Sequence, residues 1–236
     1  MILLDLSDPF PPVCLARQNA GGLLALGADL SPQRLLDAYR LGIFPWGTHE
    51  GLPLWHYPDP RMVLFPGEIR ISRSLRKTLR QGRYSVRFDS AFGELVQACA
   101  ETPRPSQSGT WISPEMQAAY IRLHELGWAH CVETWMEGKL VGGLYGLAIG
   151  RVFFGESMFS HRKDASKIAF AHLARFLTTQ QFGMIDCQMH TPHLASLGGR
   201  EIAGNEFSQH LAKLIVGSQT PQHWPVDVCN YDWDIQ

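Results

Sequence analysis

The chain reads as a mixed α/β protein, with a small N-terminal α+β domain over residues 1–62 and a larger mixed-sheet domain over residues 63–236. Three observations predict this. The chain has 236 residues, 45% of them hydrophobic, which is ample for a large core without covalent staples. From Met62 onward, strand-like and helix-like patterns alternate, with three consecutive strands joined by tight turns. Before that point the texture differs, being dense in Pro, Gly and Trp.

Taken in order, the first clear helix starts at Ser31-Pro32, an N-cap followed by a first-turn proline. Leu35, Leu36 and Tyr39 form its apolar face, and Gly42 ends it. A loop is expected at Ile43-Phe44-Pro45-Trp46-Gly47. There, and at Leu54-Trp55-His56-Tyr57, prolines beside aromatics form either a binding lip or the packing of a small domain. A strand at Val63-Phe65, a helix near Arg73–Arg80, a strand at Tyr84-Phe88 and a helix from Ala91 to Ala100 follow. Ser113 caps the next helix, which carries Met116, Tyr120 and Leu123 and stops at Gly127. Strands are expected at 129–136, 140–148 and 152–158, a long helix at 165–179, a strand at 184–189 and a last helix at 206–216.

Composition excludes several classes. The net charge is −1 with 10 histidines counted neutral, so a polyanion partner would need a local basic patch. No apolar run approaches the ~20 residues that span a bilayer, and Met1-Ile2-Leu3-Leu4-Asp5 lacks the basic start of a signal peptide. Cys14, Cys99, Cys131, Cys187 and Cys229 are scattered without CxxC spacing, as buried thiols in a reducing compartment would be. These features point to a cytoplasmic protein with no membrane partner.

Two constellations bear on chemistry. Arg70, Arg73, Arg76, Lys77, Arg80, Arg83 and Arg87 occur with no acidic residue among them, and acidic Asp227, Asp232 and Asp234 at the tail help cancel them in the total. Arg73, Arg76, Lys77 and Arg80 share one helix face at i, i+3, i+4, i+7. A solvated face usually alternates signs, whereas clustered Lys/Arg is the footprint of phosphate binding. Arg162, Lys163 and Lys167 form a second basic cluster.

The other constellation joins Glu156, in the apolar run Val152-Phe153-Phe154-Gly155, with Asp186 and Gln188. The last two are i, i+2 on a strand and expected to share a face. Carboxylates in buried strands are costly unless hydrogen-bonded or at work. They either tie two strands together or hold an amine and move its proton. Phe153, Met158 and Leu144 beside Tyr145 either line an apolar pocket or fill the sheet core. His190 and His193, three apart around Pro192, complete no zinc set, so no metal is expected. Cys187 reads as a buried thiol rather than a nucleophile.

The element order resembles the GCN5-related N-acetyltransferase fold, whose mixed sheet splays open beside a central strand. That family holds acyl-CoA on a Gly-rich turn, but the corresponding junction here, 159–167, contains no glycine. Acyl-CoA is disfavoured, and another acyl donor becomes the expectation.

Motifs along the chain sharpen this. Gly22-Leu23-Leu24-Ala25-Leu26-Gly27-Ala28-Asp29, Gly42-Ile43-Phe44-Pro45-Trp46, Pro58-Asp59-Pro60-Arg61, Ser108-Gly109-Thr110-Trp111-Ile112, Gly142-Gly143-Leu144-Tyr145-Gly146, Gly155-Glu156-Ser157-Met158-Phe159-Ser160 and Ile185-Asp186-Cys187-Gln188 occur in this order. In these residues the chain resembles the leucyl/phenylalanyl-tRNA–protein transferase family from Leu23 to Val216. It departs at His56-Tyr57 and at Ala203-Gly204, where the family usually has other residues.

The resemblance implies an aminoacyltransferase with no cofactor, built as an acetyltransferase-like domain preceded by a small N-terminal domain. It would take Leu or Phe, and Met less well, from aminoacyl-tRNA. It would then form a peptide bond to the N-terminal Arg or Lys of a protein, creating an N-end rule degradation signal. By resemblance, Phe153 and Met158 line the side-chain pocket with Leu144 and Ser157 nearby, while Trp46 and Trp111 stack the terminal adenosine. Asp186 with Gln188 forms the catalytic centre, Asp186 acting as general base or as orienter of the amine, and Glu156 holds the acceptor's amine or basic side chain. Arg73, Arg76, Lys77, Arg80 and Arg83 face the tRNA, and the protein is expected to be a monomer.

Overall fold

The computed structural model describes residues 2–103, 110–217, 220–226, 231 and 233. Ser108, Gly109, Asp227, Cys229, Asp232 and Asp234 lie outside the described residues. No described helix is long and apolar enough to cross a membrane.

The N-terminal part is a four-stranded sheet carrying one helix. Its strands are β1 (Ile2–Leu4), β2 (Leu23–Gly27), β3 (Phe44–His49) and β4 (Leu52–His56), in the order β1-β2-β4-β3. Helix α1 (Pro32–Arg40) begins as its sequence predicts: the Ser31 hydroxyl accepts the Arg34 N–H, and Pro32 occupies the first turn. The loop expected at Ile43–Gly47 is instead mostly strand, with Phe44 opposite His56 and Pro45 opposite Trp55. Proline is tolerated because β3 is an edge strand and its register shifts between Pro45 and Thr48. Trp55 is core, fully buried, with its indole N–H donating to the Gly27 carbonyl at 2.8 Å. Trp46 stays half-exposed.

The larger sheet has the order β11-β5-β10-β9-β8-β7-β6. In chain order its elements are β5 (Arg61–Leu64), α2 (Arg73–Gln81), β6 (Ser85–Phe88), α3 (Phe92–Glu101), α4 (Pro114–Glu125), β7 (Ala129–Met136), β8 (Lys139–Ile149) and β9 (Val152–Ser160). Then come α5 (Ala165–Thr179), β10 (Met184–Gln188), α6 (Pro192–Ser196), β11 (Arg200–Ile202) and α7 (Gly204–Leu214). Serine caps start both α2 and α4: Ser113, as expected, accepts from Met116 N–H, and Ser72 accepts from Leu75 N–H. The short α6 and β11 carry too little periodicity to be read from sequence.

Apolar clusters cover the sheet. One joins Tyr39 and Phe44 of the N-terminal part to Leu95, Tyr120 and Phe154, so the core is continuous across the two sheets. The other seats α5 and the Leu75/Leu79 face of α2 against Phe153 and Ile185. Helix α5 lies close on β8 because residue 142 is glycine. A Cβ there would meet the Ala165 Cβ at 2.5 Å.

The feature that positions the site is a split between β9 and β10. They pair in parallel only at Val152, Phe153 and Phe154, opposite Met184, Ile185 and Asp186. Beyond that β9 continues to Ser160 paired with β8, while β10 bulges against β5 between Asp186 and Gln188. Gln188 sits in the left-handed region at φ 61°. The strands part there and leave a wedge.

Candidate active site

The wedge opens into a cavity of about 600 Å³. Phe44 and Trp46 come from β3, Trp111 from the segment before α4, and Leu144 from β8. Phe153, Glu156, Ser157 and Met158 come from β9, and Asp186 and Gln188 from β10. Every residue assigned by the sequence to the catalytic or aminoacyl-binding groups therefore lines one cavity. Its lining also includes Phe170, Thr191 and Leu194, which sequence reasoning did not single out, and His193, which it weighed only as a metal ligand.

Glu156 and Gln188 bridge the split. The Gln188 amide donates to Glu156 Oε1 at 2.7 Å, and the Tyr120 hydroxyl donates to Oε2 at 2.7 Å. Burial pushes the Glu156 carboxyl up to about 7, against the pull of Tyr39, Tyr120 and Gln188 as donors, with the Asp186 charge adding to the rise. A buried carboxyl titrating near neutrality suits proton exchange with an amine.

Asp186 is engaged differently. It and Arg61 are both 0% exposed, and the guanidinium donates through Nε at 2.8 Å and Nη2 at 2.6 Å to the two carboxylate oxygens. Oδ1 also accepts the Gln188 backbone N–H at 2.9 Å. Arg61 is clasped between the rings of Phe44 and Phe207, 4.7 and 4.6 Å from its central carbon. Asp186 and Gln188 both line the cavity beside Glu156 and differ in their partners. Asp186 turns to Arg61, and Gln188 turns to Glu156 while staying tied to Asp186 through its backbone.

Arg61 was missed as a functional residue, although an arginine opening the apolar run Met62-Val63-Leu64 is a visible signal. Its neighbours in the Pro58-Asp59-Pro60-Arg61 motif anchor the same region. Asp59 accepts the Gly204 N–H at 2.8 Å, and the Tyr57 hydroxyl donates to the Gly204 carbonyl at 2.9 Å. The departures at Tyr57 and Gly204 thus meet each other. A side chain at position 204 would run into Asp59, whose carboxylate lies 2.8 Å from a Cβ there.

His193 faces the cavity with its Nε2 unpartnered among the described residues, and burial together with the Lys167 charge lowers its pKa. The Cys187 thiol is pushed up by burial and the Asp186 charge, which makes it a poor nucleophile. No cluster of three metal-ligating side chains occurs among the described residues.

Outside the cavity, Arg73, Arg76, Lys77 and Arg80 line a shallow groove along α2 with Ser74 and Gln81, and Arg83 is exposed just beyond it. Thr78 of α2 donates to Asp164 at the start of α5 at 3.4 Å. The basic helix therefore adjoins the second cluster around Arg162, Lys163 and Lys167. Arg87 lies over the Trp135 ring at 5.3 Å.

The family model "Leucyl/phenylalanyl-tRNA protein transferase" matches residues 63–212, and the model of that family's N-terminal domain matches residues 28–59. A leucyl/phenylalanyl-tRNA–protein transferase of Dechloromonas aromatica is 66% identical over 220 residues, covering 93% of this chain and 94% of that one. One from Nitrosomonas eutropha is 57% identical over 237 residues, covering all of both chains. Among solved structures, a GCN5-related N-acetyltransferase from Kribbella flavida is 13% identical with a TM-score of 0.34. It covers 73% of this chain and 61% of that one.

Proposed function

The chain belongs to the leucyl/phenylalanyl-tRNA–protein transferase family, and on that premise we propose that it transfers Leu or Phe, and Met less well, from aminoacyl-tRNA to the N-terminal Arg or Lys of a protein. The product would carry an N-end rule degradation signal. The observation that carries the reading is the meeting of Glu156, Gln188, Trp46 and Trp111 on one apolar cavity. An aminoacyl ester is already activated, so the protein need only position two substrates, accept a proton and steady the developing oxyanion.

In this reading the aminoacyl side chain enters between Phe153, Met158 and Leu144, with Ser157 at its edge. Fit in such a pocket discriminates weakly, about 1–3 kcal/mol per methylene, which suits tolerance of Leu, Phe and Met. Trp46 and Trp111 stack the unpaired terminal adenosine. The acceptor amine docks on Glu156 and the Gln188 amide. The three hydrogen bonds that Asp186 accepts support an orienting role for it rather than that of base. Arg73, Arg76, Lys77, Arg80 and Arg83 would run along the phosphates of the acceptor arm. Residues 1–62 would act as a small domain that brings Trp46 to the cavity, with 63–236 as the catalytic domain of a cytoplasmic monomer.

The test mixes Phe-tRNA carrying labelled Phe with proteins that begin in Arg, Lys or Ala. Transfer to the first two alone is expected. Transfer to none, or equally to all three, overturns the reading.

A further inference from the structure

Tyr39 lies far from the aminoacyl pocket in sequence and on the N-terminal helix α1, yet it is wired to the carboxylate in the cavity. Its hydroxyl is 2.7 Å from that of Tyr120, and Tyr120 in turn is 2.7 Å from Glu156 Oε2. Tyr39 and Tyr120 are both essentially without exposure, so water does not substitute for either contact. The direction of the chain follows from proton counting. An ionised carboxylate only accepts, so the Tyr120 proton points to Glu156, and Tyr39 must then spend its own proton on the Tyr120 oxygen. A phenol that accepts a hydrogen bond is a stronger donor, so the outer hydroxyl strengthens the inner contact. With Tyr120 on Oε2 and Gln188 on Oε1, each carboxylate oxygen keeps a lone pair for a group in the cavity.

We propose that Tyr39 is a positioning residue for the transfer reaction, acting through Tyr120 to keep Glu156 ionised and aimed so that it receives the proton of the incoming amine. This rests on the aminoacyl-transfer reading above. In the step itself, the neutral amine nitrogen attacks the ester carbonyl carbon and its proton passes to Glu156. The bond from that carbon to the ribose oxygen then breaks, and the same proton goes to the leaving oxygen. One amide and one ribose hydroxyl result, with no co-reactant.

The groups that surround Glu156 are consistent with this assignment. Tyr39 faces it from α1, Tyr120 from α4, and Asp186 and Gln188 from β10. Arg61 of β5 stands behind Asp186, and Tyr145 of β8 packs edge-on against Tyr120 at 5.4 Å. Burial raises the Glu156 carboxyl to about 7, and the two phenols hold it from rising further. That places it close to a terminal amine, ordinarily about 7.7–8.0.

The test is Tyr39→Phe, which keeps the ring against Phe154 (5.3 Å between centroids) and removes only the hydroxyl. Losing a donor to the chain disfavours the ionised carboxylate. The acid limb of kcat/KM for Phe transfer should therefore move to higher pH, by about half to one unit. The rate at pH 7 should fall roughly two- to fivefold, while the rate at pH 8.5 stays near wild type. A Tyr120→Phe variant should shift the limb further in the same direction, and Tyr39→Phe added to it should shift it by less than Tyr39→Phe does alone. A profile that superimposes on wild type, or one lowered equally at every pH, overturns the proposal. Absence of transfer by the wild-type protein would instead count against the transferase reading itself.

Discussion

Removing the Asp186 charge tests the buried ion pair beside the proposed catalytic centre. In Asp186→Asn the side chain keeps its shape, but the Arg61 guanidinium remains buried at 0% exposure with no counter-charge. Among the described residues its Nη1 already lacks a hydrogen-bond partner, and its faces are covered by Phe44 and Phe207. Breaking one side of a buried, bidentate pair typically costs about 3–5 kcal/mol. For a chain of this size, each kcal/mol lowers Tm by about 2–4 °C, so a fall of roughly 6–20 °C is expected. Thermal denaturation followed by circular dichroism at pH 7.5 measures it. Replacing both partners by leucine should recover most of the lost stability, because neither charge is then stranded, but not the transfer activity. An unchanged Tm for Asp186→Asn, or a double variant no better than the single one, would refute the idea that Asp186 is an anchored orienting group.

Glu156→Gln should separate stability from activity. The folded carboxyl titrates near 7 and an unfolded glutamate near 4.5, so the group adds a stability cost that is absent below pH 4.5 and complete above pH 7, of order 3 kcal/mol. Differential scanning calorimetry should show the variant several degrees more stable than wild type at pH 8 and little different at pH 4.5, while single-turnover Phe transfer drops about 10²- to 10⁴-fold. Trp46→Ala and Trp111→Ala should each raise KM for Phe-tRNA about ten- to hundredfold, with kcat less affected, if each stacking contact contributes ~1–3 kcal/mol. Charge reversal at Arg76, Lys77 and Arg80 should weaken tRNA binding in filter-retention assays and flatten its salt dependence by about one slope unit per lost phosphate contact. An unmoved slope would make that groove an ordinary solvated face.

Helix starts were legible because their signals are local. Ser31-Pro32 and Ser113 each place a cap within three residues of the N–H it satisfies. The three strands of 129–158 and the long helix α5 emerged from alternation and from helical period. The N-terminal sheet was harder to read, since Pro45 and Gly47 argue against a strand that an edge position and a bulge make permissible. The carboxylates at 156 and 186 stood out because charge in an apolar strand is expensive, but their neighbours did not. Tyr39 and Tyr120 looked like apolar helix faces, which they also are, and nothing beside them in sequence announces a hydrogen-bonded chain.

The amino-acid order alone specified a mixed α/β chain, the residue types of its chemistry, and the gathering of positive charge on one helix within a nearly neutral protein. Which of those residues meet was left to tertiary structure. Arg61 reaches Asp186 across 125 positions, Tyr39 reaches Tyr120 across 81, and Gln188 reaches Glu156 across 32. The first and last meetings depend on strand order and on the bulge at Asp186 and Gln188, and the second on the packing of α1 against α4. Local propensity acts over a turn of helix or a pair of strand residues. The difference between an ion-paired Asp186 and a Glu156 carboxyl raised to about 7 is set by burial and by partners that only the folded chain brings within hydrogen-bonding distance.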